Sequence, residues 1–163
     1  MEKKIVVFFL QNEEFAFDIM KVVEIIRHKS ITNVPTAPAF IEGVINLRGR
    51  IIPVIDLRKR FKLADAEREK DSRVIIVELK KKQLVGVIVD RVSHVLAVKE
   101  EEVLPAPSSI VSVGGKYIES IVQRGERIIV FLNIEKVFSD EEQDEINYIA
   151  EKEGGEFEES PYS

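Results

Sequence analysis

The chain has no cysteine. That excludes a disulfide framework and every cysteine-based metal site. It has two histidines, His28 and His94, at separate strand-like positions. With no thiol beside them they form no recognisable metal-ligand set. A basic surplus is also missing: 24 Lys and Arg stand against 29 Asp and Glu, for a net charge of −5. A nucleic-acid binder needs a cationic face for phosphate, so nucleic acid is not an expected partner. No apolar run approaches the roughly 20 residues of a membrane-spanning helix, and Ile5 to Leu10 is too short for a signal-peptide core. The expected compartment is therefore the cytoplasm, with any membrane association made through a partner.

Catalytic patterns are equally scarce. Asp90 and His94 lie close together in the chain, but no nucleophile turn accompanies them. Gly114-Gly115-Lys116 ends like a phosphate loop yet lacks its spacing and its following helix. Neither an enzyme, nor a cofactor, nor a metal ion is expected.

What the chain has is hydrophobic residues, 45% of 163, and a charged fraction of 33%. That suits one domain, or two small units packed intimately, with a solvated surface. Ile5 to Leu10 reads as a strand buried on both faces. Phe15, Phe17 and Ile19 alternate with Ala16 and Asp18, as in a half-buried strand. Met20 to Ile26 suits a helical turn or a third strand; as a strand, it puts Val23 and Ile25 on one face and Glu24 on the other. Pro35 and Pro38 mark a long connection, and Pro105 and Pro107 a second. Val74–Leu79 with Leu84–Val89, and Tyr117–Val122 with Arg127–Leu132, read as hairpins. Arg58 to Arg68 suggests a helical turn before a mobile loop at 64–71. Ser139 and Glu142 form a capping box that opens a short helix, with Ile146, Ile149 and Ala150 on its buried face. The acidic stretch 154–163 lacks periodicity and is expected to be a disordered tail, leaving 1–153 as the folded domain.

The most informative stretch is Gly43 to Leu57, GVINLRGRIIPVIDL. Two β-branched runs flank Arg48-Gly49-Arg50, a hairpin pattern, and Pro53 places the second strand at an edge or a bulge. The pattern returns at Gln123 to Lys136, QRGERIIVFLNIEK, and Phe15–Asp18 resembles Val87–Asp90. An offset of about 72–77 residues implies two sub-domains built on one plan. Many short strands with regular turn signals indicate an all-β protein, a barrel or a sandwich.

Residues Pro38 to Phe61, PAFIEGVINLRGRIIPVIDLRKRF, resemble the signature of the CheW family of chemotaxis coupling proteins. FAFDIMKVVEII, VGVIVDRVSHVL and RIIVFLNIEKVF support the resemblance, which spans about Lys4 to Phe138. It implies two intertwined five-stranded SH3-like β-barrels with short helical turns and a C-terminal helix. It also implies a non-enzymatic adapter between the cytoplasmic tips of chemoreceptors and the regulatory domain of the histidine kinase CheA. By resemblance, Glu24, Asn46, Leu47 and Arg48 face the receptor, and Glu42, Gly43, Ile51 and Tyr117 face the kinase. The same pattern occurs in the regulatory domains of chemotaxis kinases, but no kinase or receiver segment is present in this chain. A small β-barrel ligand-binding protein or enzyme is the alternative of a different class.

Overall fold

The computed structural model describes residues 2–27, 31–63, 70–106 and 117–159, with side chains as far as Lys152. The fold is mostly strand. The strands are β1 (Glu2–Leu10), β2 (Glu13–Asp18), β3 (Val22–Arg27), β4 (Gly43–Leu47), β5 (Arg50–Asp56), β6 (Arg73–Glu78), β7 (Leu84–Val89), β8 (Arg91–Lys99), β9 (Val103–Pro105), β10 (Ile118–Arg124) and β11 (Arg127–Leu132). Helix α1 (Leu57–Arg60) follows β5, α2 (Ile134–Val137) follows β11, and α3 (Asp140–Glu159) closes the chain. The ambiguous run at Met20 resolves into a 3-10 turn, Ile19–Lys21, capped by the Asp18 carboxylate, and then β3.

The strands form a five-stranded sheet, β3-β6-β7-β5-β4, and a six-stranded sheet, β8-β1-β2-β11-β10-β9. Both follow one plan. An edge strand (β3 or β8) pairs with an antiparallel hairpin (β6–β7 or β1–β2). A parallel junction follows, β7 to β5 or β2 to β11, and then a second hairpin. The segments Phe15–Asp18 and Val87–Asp90 end β2 and β7, which hold equivalent places. The N-terminal hairpin is thus built into the sheet that the C-terminal strands make.

The resemblance implies five strands in each barrel, and β9 is the sixth in one of them. It continues β8 after the turn Glu100–Glu102 and pairs with β10 at the far edge. The chain leaving β3 does the same on a smaller scale: Thr32 and Val44 exchange two backbone hydrogen bonds of 2.9 Å. Each sheet therefore curls until its edges approach. Pro53 corrects a sequence expectation. Its strand, β5, is interior, and the ladder to β7 begins one residue later, at Val54, so it demands no N–H from Pro53.

Three apolar clusters explain the unbroken hydrophobic runs. Ile45, Ile52, Val54, Val74, Ile76 and Ile88 fill the inside of the five-stranded sheet. Ile5, Val7, Val98, Ile129 and Phe131 fill the inside of the other. Between the sheets lies the largest cluster, which includes Phe8, Phe17, Ile55, Ile75, Val77, Val87 and Val89. A strand such as β6 sends Val74 and Ile76 one way and Ile75 and Val77 the other, so both of its faces are dry. Each such side chain contributes about 1.5–3 kcal/mol on burial.

Helix α3 joins this central cluster through Ile146 and Ile149. Its capping box is formed: Ser139 Oγ accepts from Glu142 N–H at 3.1 Å, and Glu142 Oε1 accepts from Ser139 N–H at 2.9 Å. The helix continues to Glu159, past Gly154, where the sequence pattern ends the folded domain. Residues 160–163, residues 64–69 of the stretch expected to be a mobile loop, His28 and Gly114–Lys116 lie outside the described residues.

Candidate functional site

The β4–β5 hairpin sets the site. Leu47 pairs with Arg50, which leaves Arg48-Gly49 as a two-residue loop. Both have positive φ, +50° and +87°, the signs of a type I′ turn. Asn46 Oδ1 accepts from Gly49 N–H at 2.9 Å and braces the turn. Glycine suits this backbone; arginine does so rarely. The second hairpin differs. Arg124 pairs with Arg127, so its loop is Gly125-Glu126, and only Gly125 has positive φ. The Arg-Gly repeat in the sequence is thus out of step with the turns: Arg48 is in its loop, and Arg124 is the last strand residue.

Arg48 reaches across to Glu24 on β3. Its Nη1 donates to Oε2 at 3.2 Å, and its Nη2 donates to Oε1. The carboxylate raises the Arg48 pKa, first by hydrogen bonding and then by charge. Glu24 is opposite Ile76 in the β3–β6 ladder, so it projects toward the barrel interior and is partly shielded there. The arginine side chain remains largely in solvent. Asn46 is exposed beside it, whereas Leu47 is 8% exposed and belongs to the core beneath the turn. The structure therefore brings Glu24, Asn46 and Arg48 to one surface and leaves Leu47 as their support.

The second group is more spread out. Gly43 pairs with Val54 and Ile51 with Asn46, so three ladder positions separate Gly43 from Ile51, about 10 Å. Glu42 is half-buried and bound to Lys59 Nζ at 2.7 Å. Gly43 is buried with φ +155°, and an added Cβ would stand 2.3 Å from the Thr32 carbonyl oxygen. Its absence of a side chain is what permits the Thr32–Val44 bridge. Ile51 is half-buried and packs against the central cluster. Tyr117 is also half-buried; its ring stacks on Phe61 at 5.5 Å, with the Arg60 guanidinium 5.9 Å above it.

Hydrophobic exposure adds residues that the motif did not single out. Met20, Val23 and Ile25, on and before β3, are 84%, 54% and 38% exposed. Val95 on β8 is exposed too. Ile25 pairs with Ile75, a member of the central cluster, and Val95 pairs with the buried Val6. Each edge strand thus carries the apolar face between the sheets outward to water. The signal in the sequence was the doublet pattern VVEII, which puts apolar side chains on both faces of a strand that covers only one.

Asp90 and His94 do not act together. Asp90 accepts from Arg58 Nε at 2.7 Å and from Gln11 N–H at 2.9 Å, which ties β7 to the β1–β2 turn. Burial pushes its pKa upward, but these donors outweigh burial and hold it below the ordinary carboxylate value. His94 lies 2.6 Å from Ser93 Oγ through Nδ1 and 3.2 Å from Arg127 Nη2 through Nε2. Arg127 is itself committed to Glu14 at 2.6 Å. Among the described residues no group of three His, Asp or Glu could hold a metal ion, and no helix is long and apolar enough to cross a membrane.

A family model for the CheW-like domain matches residues 4–142. The chain is 36% identical over 148 residues to the chemotaxis protein CheW of Klebsiella aerogenes, covering 91% of this chain and 89% of that protein. It is 38% identical over 143 residues to the chemotaxis protein CheW of Treponema pallidum, with 85% and 84% covered. The crystal structure of the scaffolding protein TtCheW from Thermoanaerobacter tengcongensis superposes with a TM-score of 0.78 at 42% identity, covering 85% of this chain and 94% of that one.

Proposed function

The chain belongs to the CheW family of chemotaxis scaffold proteins, and from that premise we propose that it couples chemoreceptor cytoplasmic tips to the histidine kinase CheA. The observation that carries this reading is the edge strand β3, which holds the Glu24–Arg48 pair along one side and an exposed apolar row on the other. An apolar strip rimmed by charge suits an amphipathic helix laid into a groove. Glu24, Arg48 and Asn46 meet the receptor, and Leu47 holds the turn from below.

The kinase regulatory domain meets the hairpin from Glu42 and Gly43 toward Ile51, with Tyr117 as a further contact. Gly43 acts there by setting the backbone. Two partners on two faces of one rigid core make receptor state and kinase activity share a coupling free energy. The role is non-enzymatic and cytoplasmic, with recruitment to membrane receptor arrays through the partners.

Co-elution tests the reading, with a soluble receptor cytoplasmic fragment and the kinase regulatory domain offered separately and together. Arg48→Glu is expected to lose the receptor and keep the kinase domain; Ile51→Glu is expected to do the reverse. If the folded wild-type protein retains neither partner, the proposal fails.

A further inference from the structure

β3 ends in an arrangement that sheets ordinarily avoid. Arg27 stands directly opposite Arg73 in the β3–β6 ladder. Opposed residues share a face with their Cβ atoms about 5 Å apart, and like charges there are destabilising. Arg73 Nη1 donates to the carbonyls of Lys70 (3.0 Å) and Ser72 (2.9 Å), which leaves most of its fork open. Among the described residues neither guanidinium has a carboxylate partner. Of the other described arginines, Arg48, Arg58, Arg60, Arg124 and Arg127 are each matched to a carboxylate, while Arg50 and Arg91 are not but stand opposite no second arginine in a ladder.

The face is defined by the register. Ile25 precedes Arg27 by two residues and shares its side of the strand, and Arg73 faces Val89 of the central cluster on its other flank. The row is therefore apolar at Ile25 and doubly cationic at its end. An added strand does not suit this edge. The ladder shifts register between Val22 and Glu24, and Glu24 is held inward by Arg48. Bulges and inward charges are the devices that block strand addition. A helix lying on the face meets neither obstacle.

We propose that the helix received by β3 is amphipathic and acidic at one end: its apolar stripe covers Val23 and Ile25, and its carboxylate sits between Arg27 and Arg73. This rests on the receptor reading above and specifies the charge that the receptor segment must carry. The unmatched arginine pair is the half of the contact that the protein supplies.

Titration of a purified receptor cytoplasmic fragment into the full-length protein, at about 50 mM and about 500 mM salt, tests it. Arg27→Glu is the informative variant, because it gives Arg73 an opposite charge and should fold at least as well as wild type. It should bind the receptor fragment about tenfold more weakly, with a flattened salt dependence. Binding of the kinase regulatory domain should be unchanged. The double variant Arg27→Gln/Arg73→Gln should lose the same affinity without a new internal pair. If both variants bind with wild-type affinity and salt slope while Ile25→Glu does not bind, the acidic-helix inference is wrong and the receptor reading survives. If wild type holds the kinase domain but not the receptor fragment, the receptor reading falls and takes this inference with it.

Discussion

Arg48 and Glu24 join two strands that share no ladder. β4 and β3 are the opposite edges of the five-stranded sheet, and the guanidinium from the β4–β5 turn holds both carboxylate oxygens of β3. The contact is largely solvated on the arginine side, so its effect on stability is small and its effect on surface shape is the greater one. Arg48→Asn separates the two. Asparagine tolerates the left-handed turn better than arginine. The variant should melt no lower than wild type while binding the receptor fragment about tenfold more weakly. A melting temperature well below wild type would mean that the pair holds the barrel shut.

Gly43→Ala tests the close approach of the chain to Thr32. The new methyl would meet a backbone oxygen at 2.3 Å from a strained φ. Because backbone cannot move aside cheaply, a loss of about 2–4 kcal/mol in urea denaturation is expected. Any loss of kinase binding in this variant should then follow the loss of fold. Wild-type stability with lost kinase binding would instead make Gly43 a direct contact.

Acid should loosen the protein through two carboxylates. Burial pushes Asp90 and Glu142 upward, but Arg58 with Gln11 N–H, and Arg60 with Ser139, hold both below their ordinary values. The folded state therefore releases these protons more readily than the unfolded chain. Their stabilisation is complete above the unfolded value near 4 and disappears as pH falls through the lower folded values. Asp90→Asn should flatten the fall in urea-derived stability between about pH 5 and about pH 2. Arg58→Leu should cost about 2 kcal/mol at neutral pH by leaving Asp90 short of a partner. A pH profile unchanged by Asp90→Asn would remove Asp90 from this account.

Ile146 anchors α3 with no exposed surface. Ile146→Ala should cost about 2–5 kcal/mol by chemical denaturation. Helical circular dichroism should fall at a temperature where the sheets persist, because the stability of such a helix comes mostly from the packing of its apolar face. A single transition with unchanged helix signal would show that α3 is held elsewhere.

The strands were legible because burial on two faces leaves an unmistakable trace, as at Ile5–Leu10 and Leu84–Val89. The capping box at Ser139 was legible for a similar reason, being purely local. What distance along the chain hides was not. Pro53 suggests an edge, and only the late start of the β7 ladder explains how it sits inside a sheet. The turn residues look alike at Arg48-Gly49 and Arg124-Gly125, yet one slip of register puts one arginine in a loop and the other in a strand. Within the candidate site, Glu24 and Arg48 were marked by the motif. The opposition of Arg27 and Arg73 depends on pairing across 46 residues and has no local sign.

The borrowed N-terminal hairpin imposes an order in time as the chain is made. Every strand of the five-stranded sheet has left the ribosome once Val89 has emerged, so that sheet can assemble early. β1 and β2, although synthesised first, must wait for β8 and β11 before they gain their outer neighbours. Their apolar edges, Ile5 to Leu10 above all, stay open until those strands have been made. The first strands made are among the last to be enclosed, which makes that hairpin the part of the nascent chain most in need of protection.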